Sequence, residues 1–187
     1  MQFVEQIIQA DIHFNILLHA IRNASAVKFF IWITLLGQAT TIIIFTLIVS
    51  TILWLTREKW YILALWLIIL SSEAFTFLAK LIFNRARPEG AVFLESTNSF
   101  PSGHATIAVA FYGFIAYLLL KKIKSKFCSF LIILFTLIII IAIGFSRLYL
   151  GVHYISDVLA GYLVGLVWLI IGISLKKYYV SIACKKC

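Results

Sequence analysis

The chain alternates between long apolar runs and short polar breaks. Phe29 to Leu55 carries no charge, and Trp60 to Phe83 carries only Glu73 and Lys80. His104 to Leu120, Phe127 to Phe145 and Val158 to Leu175 complete a set of five runs. A helix needs roughly 20 mostly apolar residues to cross the hydrocarbon core, so the pattern predicts five spans. The runs are continuous and lack the period-2 alternation of a membrane β-barrel.

The first 25 residues follow a different rule. Val4, Ile7, Ile8, Ile12, Ile16 and Leu17 recur at three-to-four spacing, while Glu5, Gln9, Asp11, His13 and Asn15 take other faces. That is the pattern of an amphipathic helix lying in the membrane interface. It lacks the basic start and small-residue cleavage site of a removable signal peptide. The expected fold class is all-α: a polytopic transmembrane helical bundle of about five spans plus an N-terminal amphipathic interfacial helix. A single membrane-embedded domain is expected over 1–187, with the interfacial helix at 1–25, the bundle at 26–175 and a basic tail at 176–187.

Composition agrees with the bilayer as solvent. Of the 187 residues 63% are hydrophobic and 12% charged, against about 25% charged in soluble domains. The net charge of +9 is scattered through loops and short clusters. No continuous basic, aromatic-interleaved surface emerges, so nucleic acid is not an expected partner. The three cysteines, Cys128, Cys184 and Cys187, do not suggest a disulfide framework. The CxxC spacing of the last two has no second pair or histidine nearby, so it reads as a solvated tail.

The cations set an expected orientation. Five spans place Arg57, Lys59, the four lysines between 121 and 126, and Lys176, Lys177, Lys185 and Lys186 on one side, ten in all. Arg22, Lys28, Lys80, Arg85, Arg87 and Arg147, six in all, fall on the other. The positive-inside rule then puts the C-terminus in the cytoplasm, and the 84–103 loop and 146–157 turn outside. Trp32, Trp54, Trp60, Trp66 and Trp168 suit interfacial anchoring or packing.

Three polar clusters fall at that same outer face: Lys80 to Pro88, Pro101 to His104 and Ser146 to Asp157. Lys80 near a helix end and Arg87 in the turn after it can converge on one anion, although juxtamembrane cations that snorkel to headgroups give the same pattern. Pro101-Ser102-Gly103-His104 reads as a helix start whose free N–H groups favour an anion. Alone it reads equally well as a capping turn with an interfacial histidine. His153 and Asp157 lie four apart, so on a helix they share a face and the carboxylate orients the ring. An aspartate cap beside an unrelated histidine has the same spacing.

Together, Lys80-x6-Arg87-Pro88, Pro101-Ser102-Gly103-His104 and Ser146-Arg147-x5-His153-x3-Asp157 resemble the signature of the type-2 phosphatidic acid phosphatase superfamily. Its members are integral membrane lipid phosphatases that share a phosphate site with vanadium haloperoxidases and glucose-6-phosphatase. The resemblance covers roughly residues 11 to 175. Many bacterial members have six spans, so it also implies that a first span is missing here.

The resemblance implies His153 as nucleophile forming a phosphohistidine, Asp157 as its orienting carboxylate and His104 as general acid, then base. It implies Lys80, Arg87, Ser102, Gly103 and Arg147 as the phosphate-binding set, with no metal and no other cofactor. The implied substrate is a lipid monophosphate or diphosphate: phosphatidylglycerophosphate, phosphatidic acid or undecaprenyl diphosphate. The partners are that substrate and the bilayer, with the oligomeric state left open. Glu73, on the same helical face as Lys80, is expected to pair with it inside the bundle, and Arg85 to be a solvated loop cation. Glu89, Glu95 and Asn98 are expected to be solvated or to tune headgroup choice. The alternative is an anion or headgroup transporter, or a non-catalytic lipid-binding protein, but the spans lack midplane polar residues lining a path.

Overall fold

The computed structural model describes residues 2–185, and their regular elements are all helical. In order they are α1 (Gln2–Ala20), α2 (Ala24–Leu35), α3 (Ala39–Leu55), α4 (Lys59–Phe83), α5 (Gly103–Lys122), α6 (Lys126–Tyr149) and α7 (Ile155–Lys185). Four of them, α4, α5, α6 and α7, are long and apolar enough to span a membrane, and a fifth span arises if α2 and α3 are counted as one.

The expected span over Phe29–Leu55 is therefore broken, with its halves bent by 40°. The chain leaves α2 through i→i−3 bonds, from the Leu36, Gly37 and Gln38 amides to the Ile33, Thr34 and Leu35 carbonyls. Tyr112 Oη caps the break by donating to the Leu36 carbonyl at 2.8 Å. At the bend, a Cβ on Gly37 would stand 3.2 Å from His104 Cδ2 and 2.8 Å from Ile143 Cγ2. Only glycine lets the break press this closely against the start of α5.

α5 is the central helix: α4, α6 and α7 all pack on it, α7 most extensively. Gly161 and Gly165 make that contact close, for their missing Cβ atoms would lie 2.6 Å from the Ser102 carbonyl and 2.4 Å from the Thr106 carbonyl. In lipid no hydrophobic drive joins helices, so close backbone approach and dispersion must do it. The buried face of α5 is accordingly built of Ala105, Ala108 and Ala110 beside Ile107, Phe111 and Phe114. Large side chains such as Trp32, Leu55, Ile82 and Phe127 point outward instead.

Two details depart from the sequence-based expectation. α7 continues to Lys185, so the basic segment from Lys176 prolongs the helix; Lys186 and Cys187 lie outside the described residues. α1 leaves Ile7, Ile8, Ile12, Ile16 and Leu17 exposed, as an interfacial helix would. Its Asp11, expected on a polar outer face, is instead buried against α7.

Candidate active site

The three clusters meet at one end of the bundle because each helix terminus there is shaped locally. Asn84 caps α4 in the left-handed region (φ 43°), which asparagine tolerates, and turns the chain so that Arg85 and Arg87 head back over the helix end. The following loop is tied down by Asn98, whose amide donates to the Lys80 carbonyl and Asn84 Oδ1, both at 2.9 Å. Its carbonyl accepts from Lys80 Nζ. Ser99 N and Oγ bond to the Arg85 and Ala86 carbonyls. Asn98 is thus a strut of the loop, which replaces the headgroup role considered for it.

α6 ends in a Schellman turn: Gly151 (φ 70°) donates to Leu148 O at 3.0 Å and Val152 donates to Arg147 O at 3.1 Å. Arg147 is therefore inside the last turn of α6, 1% exposed, with Nη1 donating to Thr34 Oγ1 of α2 at 2.7 Å. His153 follows in the turn before α7, so its pairing with Asp157 is not the within-helix contact that the i,i+4 spacing predicts. The two approach across the helix start, Nδ1 to Oδ2 at 3.4 Å, and Nδ1 has no hydrogen-bond partner. Oδ2 accepts the Tyr154 N–H at 2.9 Å.

All eight candidate residues converge. Arg87 Nη1 lies 3.3 Å from His153 Nε2, the ring nitrogen that points away from Asp157. Ser102 is the N-cap of α5, but its hydroxyl makes no cap bond and is buried without a partner. Its N–H donates to the Asp157 carbonyl at 3.0 Å, which ties the second cluster to the third. Gly103, His104, Lys80 and His153 line one cavity of about 560 Å³. Burial, with Arg147, Arg87 and Lys80 nearby, holds the His153 ring pKa well below its ordinary value. The ring is therefore neutral at neutral pH, the state in which a nitrogen lone pair is free to attack.

Three residues behave differently from the sequence-based expectation. Glu95 is not a free loop acid: its Oε2 lies 2.6 Å from Arg87 Nη2, and its Oε1 pairs with Arg147 Nη2. It thus sits as the anion between the arginines of the first and third clusters. Burial alone would raise its pKa, but Arg147 and Arg87 outweigh this and hold it below the usual carboxylate value. Arg85 is not a free loop cation either; it pairs with Asp11 at 2.7 Å and with Asp157 at 2.6 Å. Glu73 forms no ion pair with Lys80 and instead lines the same cavity two turns away. Local sequence held no sign of the Glu95–Arg147 and Arg85–Asp11 contacts, since the partners lie 52 and 74 positions apart on different helices and loops.

The cavity changes character along its length. One end holds His153, His104, Lys80 and Glu95; the other is walled by Ile42, Ile43, Trp66 and Leu70 of α3 and α4. Such a groove has the shape and polarity for an amphiphile, its polar end beside Lys80 and the two histidines.

Comparison with known proteins points the same way. The PAP2 superfamily model matches residues 60–180. Phosphatidylglycerophosphatase B of Bacillus subtilis (strain 168) is 34% identical over 137 residues, which cover 72% of this chain and 67% of that one. The crystal structure of a transmembrane PAP2 type phosphatidylglycerolphosphate phosphatase from Bacillus subtilis superposes with a TM-score of 0.86 at 27% identity, covering 92% of this chain and 87% of that one. Aquifex aeolicus LpxE shares the fold, with a TM-score of 0.68 at 24% identity over 88% of this chain and 94% of its own. With a family model over most of the bundle, a relative at 34% identity and the three clusters gathered at one end of the bundle, the chain belongs to the PAP2 superfamily.

Proposed function

We propose that this membrane lipid phosphatase removes the terminal phosphate of a glycerophospholipid monophosphate of the phosphatidylglycerophosphate type, through a phosphohistidine at His153. The observation that carries this reading is the cavity of about 560 Å³, lined at one end by Lys80, His104, His153 and Glu95, whose carboxylate pairs with Arg87 and Arg147, and apolar at the other. It matches a lipid whose tails stay in the bilayer while its phosphate reaches the bundle end. The name of the relative at 34% identity supports the choice of lipid.

In the first step the His153 Nε2 lone pair forms a bond to phosphorus while the bond from phosphorus to the lipid oxygen breaks. His104 gives its proton to that oxygen, and the lipid alcohol leaves. In the second step His104 takes a proton from water, the water oxygen bonds to phosphorus, and the N–P bond breaks to release phosphate. Arg87, Arg147 and Lys80, with the Ser102 hydroxyl and the Gly103 N–H, stabilise charge on the phosphoryl oxygens. Asp157 steadies the imidazolium that develops on His153. The buried, unpartnered Ser102 Oγ supports this, being a donor held free at the site. We place the site on the outer face and the C-terminus in the cytoplasm, as the cation asymmetry supports.

Phosphate release by detergent-purified protein in EDTA tests the reading, with phosphatidylglycerophosphate, phosphatidic acid and undecaprenyl diphosphate as substrates and His153→Ala as control. Release from the first in preference to the others, lost in the variant, is the expected result. Preference for the isoprenoid diphosphate would overturn the substrate, and release by His153→Ala the mechanism. Orientation is tested with Glu89→Cys, an exposed loop position, after the three native cysteines are changed to serine. Labelling by an impermeant maleimide only in broken cells would invert it.

A further inference from the structure

Asp157 is held from behind by a relay that begins on α1. Asp11, 1% exposed, accepts from Arg85 Nη2 on Oδ2 at 2.7 Å and from the Ser156 N–H on Oδ1 at 3.0 Å. The Ser156 hydroxyl lies 2.5 Å from Asp11 Oδ2 and 2.7 Å from Arg85 Nη1. Nη1 also donates to Asp157 Oδ1 at 2.6 Å. The Tyr154 ring covers the guanidinium at 4.3 Å. Arg85 is therefore held on two edges and one face, with a carboxylate on each edge. A cation meant for a lipid headgroup would instead keep donors free toward the cavity.

Burying Asp11 is costly unless its charge is paired. What the pairing achieves is the orientation of a second carboxylate. Fixing Oδ1 on Arg85 fixes the rotation of the Asp157 carboxylate, and so the direction of Oδ2 toward His153 Nδ1, 3.4 Å away. As the N–P bond forms at Nε2, positive charge grows on the ring and the Nδ1–H closes on Oδ2. We propose that Arg85 and Asp11 are positioning residues of the reaction: the Asp11–Arg85–Asp157 relay aims the carboxylate that supports the nucleophile. Asp11 lies outside the 60–180 segment that the family model matches, so the N-terminal helix contributes to the site from beyond that segment. The inference rests on the phosphohistidine reading above.

The test compares wild type, Arg85→Gln, Arg85→Lys and Asp11→Asn for kcat, KM and inhibition by phosphate and by vanadate. Vanadate adopts the five-coordinate geometry of the attack and bonds to the nucleophile, whereas phosphate reports ground-state binding. For Arg85→Gln, kcat is expected to fall about 10–100-fold, as it does when the carboxylate or carbonyl that orients a metal-bound histidine is lost. KM and phosphate inhibition should stay unchanged, and vanadate inhibition should weaken by the factor lost in kcat. Arg85→Lys should recover part of the rate, and Asp11→Asn should show a smaller loss with the same signature. KM and the phosphate inhibition constant rising together at constant kcat would make Arg85 a substrate contact and overturn the proposal. Wild-type kcat in both Arg85→Gln and Asp11→Asn would also overturn it, as would equal losses in all three variants that follow their thermal stability. If Arg85→Gln does not fold, Asp11→Asn decides by the same criteria. Failure of the underlying reading is distinct: wild type would release no phosphate, or His153→Ala would still release it.

Discussion

In the proposed mechanism the substrate phosphate takes the place that Glu95 holds between Arg87 and Arg147, and replacing that glutamate with glutamine gives a sharp prediction. Its two oxygens engage Arg87 Nη2 at 2.6 Å and Arg147 Nη2, with the side chain 24% exposed. At an effective dielectric near 20, a pair of unit charges 4 Å apart attracts by about 4 kcal/mol, and a charge-assisted hydrogen bond is worth about 1.5–3 kcal/mol net. Water that reaches the freed arginines through the open cavity returns much of this, leaving about 1–3 kcal/mol that an incoming phosphate must overcome. That corresponds to about 5–150-fold in affinity. Glu95→Gln removes the competing charge while keeping the shape. Inorganic phosphate should therefore inhibit the variant about 5–150-fold more strongly, and KM should fall. The assay is competitive inhibition of lipid hydrolysis by phosphate at neutral pH, where Glu95 is ionised because its pKa lies below the usual carboxylate value. Unchanged or weaker inhibition would mean that Glu95 holds the arginines in place for phosphate rather than occupying its position.

Lys80 is one of three cations that lower the His153 ring pKa, after burial, Arg147 and Arg87. Lys80→Met should let that pKa rise, moving the acid limb of kcat/KM toward neutral pH, besides costing on the order of 10²–10³ in rate; an unmoved limb in the pH profile counts against His153 as the group that must be neutral. Gly165→Ala would place a Cβ 2.4 Å from the Thr106 carbonyl, and overpacking of this kind costs about 1–3 kcal/mol, readable as a lower melting temperature in detergent. Gly161→Ala presses on the Ser102 carbonyl at 2.6 Å, so it should lose activity as well as stability, and full activity would show that the start of α5 tolerates displacement. Because Lys80, Arg87 and Arg147 supply the positive charge at the site, hydrolysis should persist in EDTA, and a loss restored by Mg²⁺ would refute that assignment.

The hydropathy of the chain determined most of the architecture by itself. A backbone in hydrocarbon must satisfy its own hydrogen bonds, so each long apolar run becomes a helix whatever surrounds it; α4, α5 and α6 begin and end within a few residues of the expected limits. The three clusters were equally legible, because their spacings are short and each lies at a helix end. What sequence could not determine were features that depend on partners distant along the chain. The break at Gly37 packs closely on His104 and Ile143, and a single Gly-Gln pair inside an uncharged run is too weak a signal to fix a bend. Glu95 and Arg85 looked like solvated loop charges because local pattern measures polarity, not the company a side chain keeps. Tertiary structure alone brought Glu95 to Arg147, 52 positions away, and Asp11 to Arg85, 74 away. A partly buried charge is costly unless another charge or water meets it. Which charges meet is decided by how the helices pack.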